Sequence, residues 1–397
     1  MIRQAALYLV SADDIQAARL PVAGRPAAFR AIVSAVRAGA RRVAVPPVLR
    51  SPDLETALAG SPSARAALVW LDDASALTAE PTLLLPAAAL APAAVLTRML
   101  QAPPGQVLAE SHVAGAPILT ADAALLASVY GDLVKGAPLG AVLIREAGAR
   151  ATGAMRGDRW FVRVTDTRGA AEADTRLWGE LGSVIDTRLD TAVHRRLSKY
   201  VTRVAVALGI PPNAITVGSG VVGLGAAALM ARGDVGPLVG GLLLYLAAVV
   251  LDHSDGEVAR LTLTESAIGE WLDIVVDTIV HTALALALGL AAQHVSGGGL
   301  GAGIVAAVGV IASAVVGKRW PPTPAAATAR GPLDGLLDGL TSRDGFYAML
   351  IVFIVVRALA PAGLPVLMLV VAVGTHAYWV ARAALSIRPG RGGGKRP

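Results

Sequence analysis

The chain has 397 residues, of which 54% are hydrophobic and 16% charged, and its mean hydropathy is +0.60. This composition is too apolar for one soluble domain, and it excludes an intrinsically disordered chain. Because the sequence contains no Cys, it also excludes disulfides, thiolate metal sites and a cysteine nucleophile. We expect the net charge of +6 to lie in cytoplasmic loops facing anionic lipid, and no motif indicates a nucleic-acid partner.

Residues 1–175 are predicted to form a soluble α/β domain, because short apolar runs of strand length alternate with Ala-rich helical stretches. No run here reaches the roughly 20 residues that span a bilayer. The first residues lack the long apolar region of a signal peptide, so none is expected. Strands are predicted at 5–10, 43–46, 66–71 and 82–85, and a helix at 28–38.

A juxtamembrane segment at 176–210 follows, with an amphipathic helix predicted over about 178–208. Leu and Val lie between its basic residues, so we expect this helix to lie along the membrane surface. A solvated charged helix that links two domains is the alternative. The basic face holds Arg188, Arg195, Arg196, Lys199 and Arg203.

Six long apolar segments predict an all-α transmembrane bundle over 211–387, followed by a disordered basic tail at 388–397. Lys and Arg precede the first segment, lie between the fourth and fifth, and fill the tail, whereas the opposite loops hold few. The positive-inside rule therefore places both termini in the cytoplasm, with six spans between them. The segments are 214–231, 236–254, 266–292, 300–317, 345–360 and 364–385.

Four carboxylates in the second and third segments carry the strongest functional signal. Asp252 and Asp255 are spaced i, i+3, and Asp273 and Asp277 are spaced i, i+4, so each pair shares one helix face. If the two helices pack antiparallel across the turn at 256–266, the four side chains converge near the cytoplasmic surface. Such an oxygen-rich site suits Mg²⁺ or Mn²⁺, and two ions a few Å apart would clamp a pyrophosphate.

Two glycines and an arginine accompany these carboxylates. Gly256 and Gly269 lack a Cβ, so a substrate or a neighbouring helix can approach the backbone there. Arg260 supplies a fixed cation with bidentate geometry for a phosphate. A polar network that only holds helices together would explain one or two of the Asp residues, but not four of them beside these glycines.

This pattern resembles the complete signature of the CDP-alcohol phosphotransferases. The sequence reads Asp-x-x-Asp-Gly-x-x-Ala-Arg over 252–260 and, after eight intervening residues, Gly-x-x-x-Asp-x-x-x-Asp over 269–277. Pro-Asn-Ala-Ile-Thr at 212–216 is similar to that family's entry into its first span. The resemblance covers about residues 178–386.

The resemblance implies an enzyme that transfers a phosphoryl-alcohol unit from a CDP-linked donor, usually CDP-diacylglycerol, to a second alcohol and releases CMP. It also implies two Mg²⁺ or Mn²⁺ ions and a homodimer. The metal ligands would be Asp252, Asp255, Asp273 and Asp277, of which Asp273 and Asp277 are also assigned as catalytic and Asp277 as the general base. The CDP site would be lined by Asn213, Thr216, Asp252, Gly256, Ala259, Arg260 and Gly269.

A few polar residues outside the signature have two interpretations. Arg343, before the fifth segment, is a candidate for binding an acceptor phosphate, and a positive-inside anchor is the equal alternative. His281, one turn after Asp277, is expected to be a satisfied interior residue rather than a ligand. His376, in the last segment, is expected to be a hydrogen-bond partner between helices rather than a catalyst. His253 stands between signature residues at a position that the signature leaves free.

The first 150 or so residues resemble sugar-phosphate nucleotidyltransferases. The resemblance lies in Leu-Pro-Val-Ala-Gly-Arg-Pro at 20–26, followed by an Ala-rich helix, an Ala-Gly turn and a strand at 43–45. That family has a Gly-rich phosphate loop after its first strand, but residues 11–19 contain no Gly, and Asp13 and Asp14 would repel a nucleotide unless a metal intervened. We therefore expect a degenerate, inactive nucleotidyltransferase-like domain. The architecture resembles a fusion of an inositol 1-phosphate cytidylyltransferase with a CDP-alcohol phosphotransferase, so CDP-inositol is a second candidate donor.

Two other functions fit parts of the sequence. The Asp cluster could bind cations in a transporter or channel, but a transport pathway would need acidic residues spread along it. A non-catalytic membrane scaffold for the N-terminal domain is the other alternative, although a decayed enzyme should have lost at least one signature Asp. The acceptor, an alcohol or an alcohol phosphate, stays open, and the product is expected to be a phospholipid or a phosphoinositol compound.

Overall fold

The computed structural model describes residues 3–72, 77–78, 80–101, 103, 107–108, 116–150, 161–179, 181, 190–319 and 343–387. The chain divides into two compact units. One comprises Met1–Leu181 and Leu261–Thr264, and the other comprises Gly182–Arg260 and Glu265–Pro397. The predicted tail at 388–397 and Arg188 lie outside the described residues.

The N-terminal unit is an α/β domain, as the alternating sequence pattern predicts. Its strands are β1 (Gln4–Tyr8), β2 (Pro21–Val22), β3 (Arg25–Pro26), β4 (Arg42–Val45), β5 (Leu68–Trp70), β6 (Thr82–Pro86), β7 (Ala89–Leu90), β8 (Val107–Leu108), β9 (Ile118–Ala121) and β10 (Val162–Arg163). Its helices are α1 (Asp14–Ala17), α2 (Ala27–Arg37), α3 (Pro52–Ala59), α4 (Pro62–Ala67), α5 (Ala93–Gln101), α6 (Ala123–Lys135), α7 (Gly140–Arg150) and α8 (Thr167–Gly179).

Six of these strands form one sheet in the order β5-β4-β1-β6-β9-β8. In this sheet β5, β4, β1 and β6 run parallel to one another, whereas β9 runs antiparallel to both β6 and β8. Along β1, Ala5 and Leu7 join one apolar cluster while Ala6 and Tyr8 join another. Burial on both faces is typical of a central parallel strand and explains its continuous apolar run.

The predicted elements of this unit agree with the structure to within two residues at either end. The strand predicted at 66–71 begins only at Leu68, because α4 continues through Ala67. Pro62 starts that helix from its first position, where a missing N–H costs nothing.

The described part of the second unit consists of helices joined by short loops. Its helices are α9 (Arg195–Ala207), α10 (Pro212–Met230), α11 (Val235–Thr262), α12 (Ala267–Ser296), α13 (Leu300–Arg319), α14 (Arg343–Leu359) and α15 (Leu364–Ile387). A π-helical turn at Asp190–His194 precedes α9, and a 3₁₀ turn at Pro361–Gly363 precedes α15.

Five helical segments in the described residues are long and apolar enough to cross a membrane, which supports an integral membrane protein. They are Pro212–Met230, Val235–Thr262, Ala267–Ser296, Leu300–Arg319 and Pro361–Ala381. The fifth of the six predicted segments forms α14, which has 17 residues and is shorter than these five.

Large apolar side chains lie exposed along the outer faces of these helices. On α10, for example, Val217 is 51% and Val221 66% exposed, and on α15 Val373 is 69% exposed. Exposed apolar ridges of this length are unfavourable in water and are expected where lipid is the solvent.

Glycines allow α12 to pack closely against its neighbours. A Cβ on Gly220 would lie 2.8 Å from Cγ1 of Val276, and one on Gly223 would lie 2.7 Å from Cγ1 of Val280. These contacts join α10 to α12 and place the carboxylates of α12 beside the helix that begins at Pro212. Small residues at such contacts are the usual means by which membrane helices approach one another.

The juxtamembrane helix differs from its prediction. Residues 178 and 179 end α8, and α9 begins only at Arg195 and stops before Gly209, whose φ of +66° lies in the left-handed region that ends helices. Arg195 was predicted on the exposed basic face, but its side chain is only 12% exposed, since its Nη1 lies 2.9 Å from Oε1 of Glu257. The exposed basic residues of α9 include Arg196 and Arg203.

Candidate active site

The signature residues come together where α11 and α12 meet. The side chain of Ser266 caps α12 by accepting a hydrogen bond of 3.0 Å from the amide of Gly269. Carboxylate oxygens of Asp252, Asp255 and Asp273 all lie within 4.8 Å of one another. The predicted convergence is therefore confirmed for three of the four aspartates.

This donor set fits a hard divalent cation. Three carboxylates at this spacing repel one another unless a cation or protons offset their charge. Carboxylate oxygens are the ligands that Mg²⁺ and Mn²⁺ prefer. Metal coordination is the simplest arrangement in which all three stay ionised.

The α10 helix supports one of these carboxylates. Asp255 is buried, and its Oδ2 accepts a short hydrogen bond from Oγ1 of Thr216. Thr216 is 3% exposed and belongs to the Pro-Asn-Ala-Ile-Thr entry at the start of α10. Thr216, predicted to lie near the nucleotide, thus contacts a predicted metal ligand.

The two signature glycines each lie against a polar side chain. A Cβ on Gly256 would lie 3.1 Å from Nη1 of Arg260, so the guanidinium group covers the bare backbone there. A Cβ on Gly269 would lie 3.1 Å from Oδ1 of Asn213. The predicted CDP-lining residues therefore lie against one another in two pairs, while Ala259 lies half-buried on α11.

Asp277 lies one helical turn beyond Asp273 and outside the trio of mutually close carboxylates. Together with Asp252 it lines a pocket whose empty space, counted with the adjoining open solvent, is about 300 Å³. The rest of the pocket is formed by Ser219, Tyr245, Ala248, Val249, Val276, Val280 and His281. A role for Asp277 as a fourth metal ligand stays a prediction.

Polar groups of this pocket were partly missed by the sequence analysis. Tyr245 and Ser219 were not singled out, although Tyr245 precedes Asp252 by seven residues and Ser219 follows Thr216 by three. Both spacings return to the same helix face, and a search for polar residues at those intervals would have found them.

Both singled-out histidines in α12 and α15 have hydrogen-bond partners, as predicted. In His281, Nδ1 lies 2.8 Å from the backbone oxygen of Asp277 and Nε2 lies 3.0 Å from the hydroxyl of Tyr245. In His376, Nε2 lies 3.0 Å from the carbonyl of Val305 on the neighbouring α13. His281 also lines the pocket, so this interior side chain is accessible from the pocket.

A buried glutamate attaches α9 to the signature helix. Glu257 is fully buried, and its oxygens accept hydrogen bonds from Ser198 at 2.8 Å and Thr202 at 2.7 Å, besides the ion pair with Arg195. Buried charge is tolerated when its hydrogen-bonding capacity is used in this way. The signature leaves position 257 unspecified, so the sequence pattern does not predict this contact of Glu257.

Arg343 is the first residue of α14, and its side chain lies outside the described part of the chain. The acceptor-phosphate role assigned to it therefore stays a prediction.

In the N-terminal unit, the loop after β1 is held by an internal ion pair. Asp14 is 1% exposed and accepts hydrogen bonds from the amide of Val10 at 2.7 Å and from Nη2 of Arg163 at 2.6 Å. Asp13 is the residue directly before α1. The acidic residue at the position of the expected phosphate loop is thus part of the domain's own packing.

Apolar helices around a cluster of carboxylates define the class of the second unit: a membrane protein with a candidate cation site between two helices. Residues 210–334 match the family model described as CDP-alcohol phosphatidyltransferase. The match covers about a third of the chain and includes the whole signature, which supports a membrane phosphotransferase activity. No curated protein matches the chain. The N-terminal unit lies outside the matched residues, and its resemblance to nucleotidyltransferases stays a prediction.

Proposed function

We propose that the protein is a membrane enzyme that transfers a phosphoryl-alcohol unit from a CDP-linked donor to an acceptor alcohol and releases CMP. The observation that carries the proposal is the convergence of Asp252, Asp255 and Asp273 inside the region that matches the CDP-alcohol phosphatidyltransferase model. A cation transporter is less well supported, because the acidic groups form one cluster beside Arg260.

The trio of carboxylates would hold two Mg²⁺ or Mn²⁺ ions together with Asp277. When bound, such ions offset the negative charge of a pyrophosphate and of the departing phosphate. The Thr216 hydroxyl would fix the orientation of Asp255 by its hydrogen bond. The chain itself thus supplies an oriented, oxygen-only ligand set.

The CDP group would bind beside Gly256, where Arg260 lies over a backbone without a Cβ. The guanidinium group can donate two parallel hydrogen bonds to phosphate oxygens. Asn213 and Gly269 would bound the nucleotide at the first turn of α12, since these two residues lie against each other. CDP-diacylglycerol and CDP-inositol are the candidate donors.

In the transfer step, the hydroxyl oxygen of the acceptor attacks the phosphorus that carries the donor's alcohol. A new oxygen–phosphorus bond forms, the bond from that phosphorus to the CMP oxygen breaks, and CMP leaves with the electron pair. Asp277 would take the hydroxyl proton, a form of general-base catalysis that typically contributes about 10²–10⁴-fold to the rate. The charge on the leaving group would be stabilised by Arg260.

The acceptor hydroxyl would reach Asp277 from the pocket that Asp277 and Asp252 share. Tyr245, Ser219 and His281 offer hydroxyl and imidazole groups to a polar acceptor, whereas Val276 and Val280 limit its size. An alcohol phosphate would additionally need a cation near the entrance, the role predicted for Arg343.

Contacts at both ends of α14 support a sixth span, and the distribution of Lys and Arg in the sequence supports a cytoplasmic position for both termini and the site. Near its start, the hydroxyl of Tyr347 lies 3.1 Å from Nε2 of His194, in the turn before α9. Near its end, Nε of Arg357 donates a hydrogen bond of 2.6 Å to the carbonyl of Gly233, in the loop after α10. The helix α14 thus reaches from the turn before α9 to the loop that follows α10. A homodimer is proposed from the family resemblance alone.

The proposal is tested with purified full-length protein in lipid nanodiscs, supplied with Mg²⁺ or Mn²⁺. CDP-diacylglycerol and CDP-inositol are offered in turn with a panel of alcohols and alcohol phosphates, and CMP release is measured. We expect metal-dependent CMP release with one donor class and one acceptor class. Absence of CMP with every pair, from protein shown to be folded, would contradict the proposal.

A further inference from the structure

A second polar cluster lies in the membrane unit, apart from the three carboxylates. It consists of Asp190 and His194 on the π-helical turn and His253 on α11, exposed by 2%, 0% and 5%. Nδ1 of His194 lies 2.9 Å and Nε2 of His253 lies 3.1 Å from the same oxygen, Oδ1 of Asp190. One ligand atom from each of the two imidazoles and the carboxylate thus lies within 4.8 Å of the other two.

The other nitrogen of each ring faces an oxygen. Nε2 of His194 lies 3.1 Å from the hydroxyl of Tyr347, and Nδ1 of His253 lies 3.1 Å from the carbonyl of Val249. Metal-binding histidines usually donate their second N–H to such an oxygen, which fixes the ring and its tautomer. Each ring is therefore held with its inner nitrogen directed toward Asp190.

We propose that Asp190, His194 and His253 bind a zinc-type divalent ion. Zn²⁺ takes imidazole nitrogen and carboxylate oxygen at about 2.0–2.2 Å, and three protein ligands leave one position for water. Ligands of one tetrahedral ion at these bond lengths lie about 3.3–3.5 Å apart. The nitrogen–oxygen separations of 2.9 and 3.1 Å are those of hydrogen bonds, so the side chains would move apart by a few tenths of an ångström to admit the ion. This mixed nitrogen and oxygen set differs from the oxygen-only set of Asp252, Asp255 and Asp273, so the two sites would select different metals.

The ion would fasten the turn before α9 to the signature helix. His253 is the neighbour of Asp252 in sequence, and its Nδ1 lies 4.0 Å from Oδ2 of Asp252. The bound ion would therefore hold the backbone of α11 next to a predicted catalytic-site carboxylate. The inference rests on the geometry of Asp190, His194 and His253 and does not depend on the proposed phosphotransfer.

The test is the zinc content of full-length protein, purified without chelators and freed of any affinity tag, measured by plasma mass spectrometry. We expect about one zinc per chain in the wild type and in a His376→Ala control, and a loss of at least tenfold in His194→Ala. Zinc-free wild-type protein that remains folded, or unchanged zinc in His194→Ala, would overturn the site. If the three residues form only a hydrogen-bonded network, the folded wild-type protein will contain no zinc.

If His194→Ala fails to fold, X-ray absorption at the zinc edge of the wild type decides the question. We expect the signature of two imidazoles at about 2.0–2.1 Å. A spectrum with oxygen ligands alone would overturn the site. Because zinc content and CMP release are separate measurements, bound zinc without any CMP release would contradict only the proposed function.

Discussion

A hydrogen bond from the hydroxyl of Thr216 to Asp255 connects the start of α10 to the three carboxylates. A hydroxyl beside a buried carboxylate stabilises its charged form and fixes its orientation, as second-layer partners of metal ligands commonly do. The metal affinity of the site should therefore depend on a residue that is not itself a ligand.

Replacing Thr216 by Val removes the hydroxyl and keeps the shape of the side chain. A lost hydrogen bond to a charged group costs about 1.5–3 kcal/mol, so the Mg²⁺ concentration for half-maximal CMP release should rise about tenfold or more. Thr216→Ser keeps the donor and is the matched control. Equal Mg²⁺ dependence in both variants and the wild type would show that the contact does not serve the metal site.

Gly256→Ala tests the approach of Arg260 to the backbone. The added Cβ would lie 3.1 Å from Nη1 of Arg260 and must displace the guanidinium group from its position. We expect the KM for the CDP-linked donor to rise about tenfold, since bidentate contacts to phosphate depend on orientation. Gly236→Ala on the same helix, where a Cβ meets nothing within 4 Å, should leave KM unchanged. A wild-type KM in Gly256→Ala would contradict the assigned donor site.

The convergence of the signature could be predicted from the sequence because helical spacing fixes which side chains share a face. Helical spacing also places Tyr245 on the face of Asp252 and Ser219 on that of Thr216, but it does not predict the contacts that they or His194 make with other helices. Each contributes a polar contact only after α10, α11, α12 and α14 have packed, and single-helix periodicity does not say which helices become neighbours.

At the scale of elements, the packing of α10 against α12 brings the helix that carries Asp273 and Asp277 beside the helix that carries Thr216. The approach depends on Gly220 and Gly223, whose missing side chains make room for Val276 and Val280. Helix packing and site geometry are thus produced by the same few residues.

Gly223→Ala should weaken this packing. Its Cβ would lie 2.7 and 2.8 Å from the two methyl groups of Val280, and a β-branched side chain cannot rotate both away. We expect destabilisation by about 1–3 kcal/mol, seen as a lower Tm in detergent. Gly218→Ala, on the same helix with nothing within 4 Å of its Cβ, should match or slightly exceed the wild type. Equal Tm values for the two variants would exclude close packing at Gly223.

Element boundaries were less predictable than element types. Apolar periodicity located α10 to α13 and α15, but it did not separate α9 from α8 or show that Arg195 faces Glu257. A charged residue on an amphipathic helix has the same sequence pattern whether it faces water or a buried carboxylate. The difference depends on a tertiary contact, which periodicity does not contain.

At the scale of the whole molecule, the apolar composition resolves into an α/β unit and a helical membrane unit. The ion pair between Asp14 and Arg163 holds the loop where a nucleotide's phosphates would bind in a nucleotidyltransferase. The N-terminal unit is therefore expected to bind no CTP. The membrane unit, in contrast, could bind part of the CTP molecule.

The CTP prediction is checked by calorimetry on the full-length Asp255→Asn variant, in which the membrane site is impaired. We expect no micromolar binding of CTP with Mg²⁺, because residues 11–19 contain no Gly-rich phosphate loop and Asp14 is already paired with Arg163. Wild-type protein serves as the control for binding at the membrane site. Micromolar affinity that persists in Asp255→Asn would contradict a degenerate N-terminal domain.

The central claim is that the intramembrane aspartates perform phosphotransfer, and Asp277→Asn tests it most directly. The variant keeps the size of the side chain but cannot accept the proton of the acceptor hydroxyl. With the donor, acceptor and metal that support wild-type activity, CMP release should fall at least 100-fold, while the Kd for the CDP-linked donor changes less than about threefold. Wild-type turnover in Asp277→Asn would contradict the account.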